Sequence, residues 1–323
     1  MGRVVWVDYA KGIGIILVVL GHVLLNSSNG AAAHLAARFI YSFHMPLFFF
    51  LAGLFVIKSV EKETTTNFIL NKAKRLLYPY FIWSIFEGSI RCFLSSKMTI
   101  QNPVSISDLL AIPYQPIYQY WFVYVLFICF CAFSLAYKKD KNLMGCLIIT
   151  AIAFAYRDLP DVQVIKSIFY MFIFFIIGAA YSKYNVENML KSMNPWIFPI
   201  ITVLFVGVEV IYLQGINTSF IKFVIALLGI AFTIGCSMKI AKYNILSALK
   251  YLGSISMPIY LSHVLCTVTI RLLLNKVGLY DSTTHIIFET AFGIGLPVLS
   301  VVWLEKTFIY RWPFGTHAIQ IAK

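Results

Sequence analysis

The chain has 323 residues, of which 60% are hydrophobic, 16% aromatic and only 12% charged. Its mean hydropathy of +0.82 leaves too few polar residues to cover a water-facing surface, which excludes a disordered chain, a disulfide scaffold and a cytosolic enzyme. The excess of 26 Lys and Arg over 13 Asp and Glu is therefore interpreted as a signal of membrane topology and not of nucleic acid binding. The composition predicts an all-α, polytopic integral membrane protein.

Apolar runs of about 20 residues, the length that crosses a bilayer, occur at ten places along the chain. The predicted spans are 8–27, 38–57, 76–96, 118–137, 142–157, 164–182, 195–213, 218–238, 251–275 and 285–304. With the N-terminus inside, 18 of the 26 Lys and Arg residues fall on the cytoplasmic side, so the positive-inside rule places both termini in the cytoplasm.

The segments between the spans are short, without low-complexity tracts. We expect one membrane-embedded domain over residues 1–323 of a multi-pass protein in the cell (inner or plasma) membrane, and no cleaved signal peptide. The longest outer loop, about 97–117, contains three prolines and is a candidate lid. The six cysteines lie in predicted spans without metal-ligand spacing, so the sequence predicts neither disulfides nor a metal site.

Polar residues inside the apolar runs are the candidates for function, because each must be paired or line a wet cavity to offset its transfer cost. In the first span, Asp8 and Lys11 are three residues apart and can pair on one helix face. Lys11 and His22 are eleven residues apart, which returns to within roughly 20° of the same face at an axial separation of about 16 Å. The alternative is that Lys11 extends to the membrane surface and His22 is a hydrogen-bonded packing residue.

Ionisable side chains from six spans fall at a similar depth in the outer half of the membrane: His22, His44, Glu87, Glu209, His263 and Glu289. Their common level indicates a shared polar cavity. Glu87 and Arg91 have the i,i+4 spacing of an ion pair, and that pair could be purely structural.

A basic cluster precedes the third span on the predicted cytoplasmic side. Lys72, Lys74 and Arg75 come just before Tyr78-Pro79-Tyr80, where we expect a helix to start. Positive charge alone would hold the loop 58–75 inside the cell. Cationic side chains beside the free N–H groups of a helix start would also bind phosphate, so a cytosolic phosphate-bearing donor is the functional interpretation.

Several short patterns occur together in one order: Asp8-x-x-Lys11-Gly12-Ile13 before His22, Phe43-His44-Met45-Pro46-Leu47-Phe48-Phe49, Lys72-x-x-Arg75 before Tyr78-Pro79-Tyr80, Trp121-Phe122-x-x-x-Leu126-Phe127, and Ser256-x-x-Ile259-Tyr260-Leu261-x-His263. From about Val5 to His263 this order resembles the membrane acyltransferase-3 family, in its short fucose 4-O-acetylase-like branch of cell-surface polysaccharide O-acetyltransferases. Two positions differ, because the family usually has arginine where this chain has Lys11 and Lys72. Lysine lacks the planar fork that binds phosphate through two parallel hydrogen bonds.

The resemblance implies transfer of an acyl group, usually acetyl, from cytosolic acyl-coenzyme A to a hydroxyl of a cell-surface or lipid-linked glycan. Acetyl-coenzyme A is then the donor substrate, no metal is needed, and the partners are the donor, the glycan acceptor and the lipid bilayer. With the residue patterns it predicts three groups of site residues: His22, His44 and Glu87 as catalytic; Asp8, Lys11, Lys72, Lys74 and Arg75 as coenzyme-binding; Trp121, Tyr260 and His263 as substrate-binding.

A neutral imidazole at His22 can remove the proton of the acceptor hydroxyl as that hydroxyl attacks the thioester. Glu87, Glu209 or Glu289 could orient a histidine. An acyl-enzyme route would need Ser or Cys beside a base. Ser262 and His263 are adjacent, but neighbouring helix residues diverge by about 100°, which favours direct transfer in a ternary complex.

A secondary transporter for a small polar or anionic solute is the alternative from another class. Ten spans, charges within them and helix breaks at Pro46, Pro258 and Pro297 suit alternating access. Spans six to ten hold no counterpart of the first-span pattern, which argues against an inverted repeat. A membrane sensor or assembly factor with a degenerate acyltransferase core is the third possibility.

Overall fold

The computed structural model describes residues 4–25, 30–95, 103–140, 142–188, 196–216 and 218–304. Its α-helices are α1 Val5–Leu25, α2 Gly30–Gly53, α3 Val56–Lys62, α4 Thr65–Lys72, α5 Tyr78–Ser95, α6 Ile106–Ala111, α7 Trp121–Asp140, α8 Leu143–Ala155, α9 Gln163–Lys183, α10 Ile197–Leu213, α11 Ser219–Tyr243, α12 Ser247–Ser254, α13 Ser256–Lys276 and α14 Ser282–Leu304. A π-helix, Ala73–Leu77, joins α4 to α5, and a 3₁₀-helix, Tyr118–Tyr120, precedes α7.

No strand occurs in the described ranges, as expected for an apolar chain that must satisfy its backbone hydrogen bonds internally. The helices form two compact units. In the part of the chain that the structure describes, the first unit comprises residues 4–51 and 185–304, and the second comprises residues 52–184.

Helix α1 is the central helix of the first unit, where it packs against α11, α12, α13 and α14. Trp6, Tyr9 and Ile15 are buried along its length, as expected for a helix that is apolar on all sides. Glycines permit the closest approach, because a side chain at Gly12 would meet the Leu249 carbonyl of α12. Small residues at such contacts let helix backbones approach in membranes.

Aromatic side chains hold the second unit together. The Phe130 ring of α7 lies 5.0 Å from the Phe175 ring of α9 and 6.1 Å from the Phe68 ring of α4, measured between centroids. Gly53, at the end of α2, packs against the carbonyl of Phe175. Rings in edge-on contact at these distances stabilise a core beyond their buried area.

A helix lies at each of the ten places where the sequence predicts a span. Among the described residues, seven segments are long and apolar enough to cross a membrane: Val5–Leu25, Gly30–Lys62, Tyr118–Tyr137, Gln163–Lys183, Ser219–Tyr243, Ser256–Lys276 and Ser282–Leu304. The apolar helices Leu143–Ala155 and Ile197–Leu213 are shorter. The all-helical membrane class is therefore confirmed, whereas ten crossings and cytoplasmic termini stay predictions.

The predicted loop 58–75 is wrong, because α3, α4 and a π-helix occupy most of it, and α5 begins at Tyr78 as predicted but without a free N–H group there. Residues 56–62 and 65–72 form α3 and α4, and Thr64 caps α4 by accepting a hydrogen bond from the Asn67 N–H at 3.2 Å. The π-helix then continues directly into α5, and the N–H of Tyr78 donates to the Ala73 carbonyl. The wider π-turn precedes Pro79, whose ring would clash with the Arg75 carbonyl in a regular α-helix.

Candidate functional site

Three of the six predicted polar groups meet in the first unit around Tyr41. The ring of His22, on α1, lies 5.1 Å from the ring of His263, on α13, and 6.0 Å from the ring of Tyr41, on α2. The Tyr41 ring in turn lies 4.8 Å from the His44 ring, one turn along α2. We call His22, Tyr41, His44 and His263 the histidine cluster.

Hydrogen bonds within single helices set the orientation of two of these imidazoles. His44 Nδ1 lies 2.7 Å from the Ile40 carbonyl oxygen, and His263 Nδ1 lies 2.7 Å from that of Tyr260. Because a carbonyl only accepts, Nδ1 carries the proton in both rings and Nε2 keeps its lone pair. His263 is fully buried, and its Nε2 has no hydrogen-bond partner among the described residues, so that nitrogen can accept a substrate proton.

The predicted substrate-binding residue Tyr260 is buried beside this cluster, with its ring 6.0 Å from that of His263. Helix α14 packs closely against the neighbouring helices at Gly293. A Cβ atom there would lie 2.6 Å from Thr267 Cγ2 and 2.9 Å from Val19 Cγ1, so only glycine fits without a shift. The backbone that carries His263 is therefore tightly packed.

Asp8 and Lys11, predicted to bind the coenzyme, lie on α1 in the first unit, Asp8 buried and Lys11 half-buried. The other three predicted coenzyme residues belong to the second unit. The Lys72 ammonium lies 3.8 Å from the centroid of the Phe130 ring, a cation–π contact. Lys74 and Arg75 are exposed on the π-helix, where an anion can reach them.

Glu87, predicted to be catalytic, lies in the second unit and is buried. Its Oε1 accepts from Arg91 Nε at 3.0 Å, which confirms the predicted i,i+4 pair, and its Oε2 accepts from Gln119 at 2.9 Å and Tyr120 at 2.7 Å. These partners occupy both carboxylate oxygens, and no histidine is among them. Trp121, the predicted substrate residue that follows Tyr120, is half-buried at the start of α7.

Glu209 links α10 to α2 in the first unit. Its Oε1 accepts a hydrogen bond from the Ser42 hydroxyl, while Oε2 is buried without a partner among the described residues. Arg38, one turn before Ser42, donates to the Tyr212 carbonyl at 3.1 Å. Glu209 thus contacts the helix that carries His44, but the hydroxyl it binds is that of Ser42.

Glu289 holds a cluster that the sequence analysis missed. Arg271 Nε and Nη2 donate to its two carboxylate oxygens at 2.9 and 2.5 Å, and His285 Nδ1 lies 2.9 Å from Oε1. His285 and Glu289 have the i,i+4 spacing that could have revealed their contact. Glu289 therefore does contact a histidine, but it is His285 and not a member of the histidine cluster.

The helices and this buried site define a polytopic membrane protein with an imidazole cluster inside its first unit. The chain belongs to the acyltransferase-3 family, whose acyltransferase domain matches residues 4–305. It is 26% identical over 200 residues to nodulation protein NolL of Mesorhizobium japonicum, covering 60% of this chain and 52% of that protein. It is 25% identical over 194 residues to nodulation protein NolL of Sinorhizobium fredii, covering 58% and 50%.

The chain thus spans about half the length of the curated relatives it matches. No solved structure matches the chain.

Replacing Glu289 by Ala should lower the free energy of unfolding by about 3 kcal/mol, because the Arg271 guanidinium would lose both carboxylate bonds in a mostly buried position. Unfolding by a denaturing detergent, followed by circular dichroism, measures the change. Asp158→Ala is the matched control: Asp158 is 79% exposed in its pair with Arg157, and its loss should cost less than about 1 kcal/mol. Equal effects of the two substitutions would contradict the structural role of Glu289.

Proposed function

We propose that the protein is an integral membrane O-acyltransferase that moves an acetyl or other acyl group from cytosolic acyl-coenzyme A to a hydroxyl of a cell-surface or lipid-linked glycan at the cell membrane. The observation that carries the proposal is the histidine cluster inside a chain of the acyltransferase-3 family. The family supports the reaction class, and the cluster offers the general base that acyl transfer to a hydroxyl needs. Neither observation favours a transporter.

In the proposed reaction, neutral His22 takes the proton of the acceptor hydroxyl while its oxygen forms a bond to the thioester carbonyl carbon. The carbon–sulfur bond then breaks, and the imidazolium returns its proton to the departing thiolate, leaving an ester and free coenzyme A. His263 Nε2, on the neighbouring ring, can hold the hydroxyl or accept the proton in turn. His44 and His263 are buried, and hydrogen bonds to reacting atoms are stronger where water is excluded.

Direct transfer is favoured over an acyl-enzyme. The Ser262 hydroxyl donates a 2.9 Å hydrogen bond to the Pro258 carbonyl of its own helix. A serine nucleophile must instead give its proton to a neighbouring base. This geometry supports a ternary complex of donor, acceptor and enzyme.

The donor phosphates are assigned to the exposed cations Lys74 and Arg75 of the second unit, together with Lys72. Asp8 and Lys11, in the first unit, stay predicted coenzyme-binding residues. Because Tyr78 has no free N–H, phosphate binding at the π-helix would depend on side-chain charge and not on a helix start. Charge-assisted bonds to phosphate are strong but are screened by salt when they are exposed. Single π-turns inside α-helices often occur at functional sites.

The reaction itself is tested with purified protein in lipid nanodiscs, acetyl-coenzyme A and a panel of soluble and lipid-linked glycans. We expect release of free coenzyme A thiol, measured with a thiol reagent, only when an acceptor is present, with a matching mass increase of the glycan. A transporter or a sensor would release no thiol above a heat-inactivated control. Thiol release that is independent of every acceptor would show a hydrolase.

His22→Ala should lower the rate of transfer at least about 100-fold, the usual loss when a general base is removed, and should leave donor binding unchanged. His34→Ala is the matched control, because His34 is exposed on α2. Initial rates of thiol release and donor titrations measure both effects. If the His22 variant keeps its activity, His22 is a packing residue, and the general base would be assigned to His44 or His263.

Arg75→Ala should raise the KM for acetyl-coenzyme A about tenfold, the effect of losing one charge-assisted hydrogen bond, with a small change in kcat. Added salt should weaken donor binding in the wild type more than in this variant. Lys62→Ala, which removes an equally exposed cation from α3, is the control. An unchanged donor KM in Arg75→Ala would leave the basic cluster as a determinant of topology only.

A further inference from the structure

The second unit contains a cavity that the proposed reaction does not use. It lies in the segment 103–118, around α6, has a volume of about 530 Å³, and is lined by Pro103, Asp108, Gln115, Pro116, Ile117 and Tyr118 among others. This volume is in the range of roughly 300–1,000 Å³ that is typical of small-molecule sites. The sequence predicts this segment as part of an outer loop and a candidate lid.

Hydrogen bonds from the flanking helices fix the backbone between the lining residues Ala111 and Gln115. The Tyr80 hydroxyl of α5 donates to the Ile112 carbonyl at 2.5 Å, and the Tyr124 hydroxyl of α7 donates to the Pro113 carbonyl at 3.1 Å. Ser105 and Asp108 form a reciprocal capping box at the start of α6. The cavity is therefore pre-formed, and a ligand would not have to order it.

Tyr118 forms one wall in a strained conformation. Its φ of 46° is in the left-handed region, which a tyrosine adopts only where its surroundings impose it. The Arg91 guanidinium carbon lies 4.2 Å from the centroid of its ring, and Arg91 is itself held by the buried Glu87. Glu87 also binds Gln119 and Tyr120, the next two residues. The Arg91 guanidinium thus covers one face of the Tyr118 ring, and Tyr118 is part of the cavity lining.

The polar groups of the cavity favour a neutral ligand with hydroxyl groups. The Ser105 hydroxyl and N–H bind the Asp108 carboxylate and hold its pKa below the usual value, so it stays charged at neutral pH, accepts hydrogen bonds and repels anions. The Gln115 side chain is exposed and can both donate and accept hydrogen bonds. The negative face of an aromatic ring attracts the C–H groups of a sugar ring.

We propose that this cavity binds a neutral sugar unit, with Asp108 and Gln115 on its hydroxyl groups and Tyr118 against its C–H face. The Asp108 carboxylate repels phosphates and so disfavours coenzyme A as the ligand. Its use as a subsite for the acceptor glycan rests on the proposed function.

Binding is measured with the full chain in nanodiscs, without donor, by saturation-transfer NMR titrations of maltose, N,N′-diacetylchitobiose and a glucuronic acid disaccharide. We expect saturable binding of a neutral disaccharide and weaker binding of the acidic one. Asp108→Asn, which keeps an oxygen for the capping box, should lower the affinity for the neutral disaccharide about tenfold, and Gln115→Ala should lower it about threefold. Asp158→Asn and Gln163→Ala, exposed residues of the same unit outside the cavity, should change nothing.

Three results would overturn the site: no saturable binding of either neutral disaccharide, binding that both cavity variants leave unchanged, or equal binding of the acidic disaccharide. The thiol-release assay separates this outcome from failure of the proposed function. If the protein transfers acyl groups but neither cavity variant changes the KM for the acceptor, the proposed function stands and the sugar site is rejected. If the protein binds sugar, the variants weaken that binding and no acyl transfer occurs, the sugar site stands and the proposed function is rejected.

Discussion

A polar side chain on a membrane-spanning helix must find its partner inside the protein, because hydrocarbon offers no hydrogen bonds. The buried carboxylates meet this constraint by joining helices. Glu289 binds Arg271 between α14 and α13, and Glu209 binds Ser42 between α10 and α2. Each carboxylate thereby fixes which helices are neighbours. Both oxygens of Glu289 are bound, whereas Glu209 keeps Oε2 without a partner among the described residues.

The histidine cluster meets the same constraint in another way. His44 and His263 each donate from Nδ1 to a carbonyl one turn back on their own helix, so each ring is oriented without a partner on another helix. This uses one nitrogen and leaves the other as an acceptor. Among the described residues, the Glu289 carboxylate, with both oxygens bound by Arg271, is suited to joining helices, whereas the His263 imidazole, whose Nε2 has no partner, is suited to proton transfer.

Local sequence patterns predict features that lie within one helix, but they do not predict contacts between two helices. Apolar runs locate the helices, and the i,i+4 spacing predicts the Glu87–Arg91 pair. The Arg271–Glu289 pair spans 18 positions and two helices, so only packing creates it. The charges of segment 58–75 favour a loop in the sequence, whereas the structure forms two short helices there, and the Thr64 cap is the local signal of the second.

Transfer between two bound substrates requires a base held within hydrogen-bond reach of the acceptor hydroxyl. Helix α1 is suited to this task because glycines fix it at both ends. Near Lys11, Gly12 packs against α12, and next to His22, a side chain at Gly21 would lie 3.0 Å from the Tyr41 ring. Larger residues at these positions would push α12 or Tyr41 away from α1. The spacing between Lys11 and the proposed base His22 is set by the rise of the single helix that carries both. The close contacts at Gly12 and Gly21 hold that helix against its neighbours.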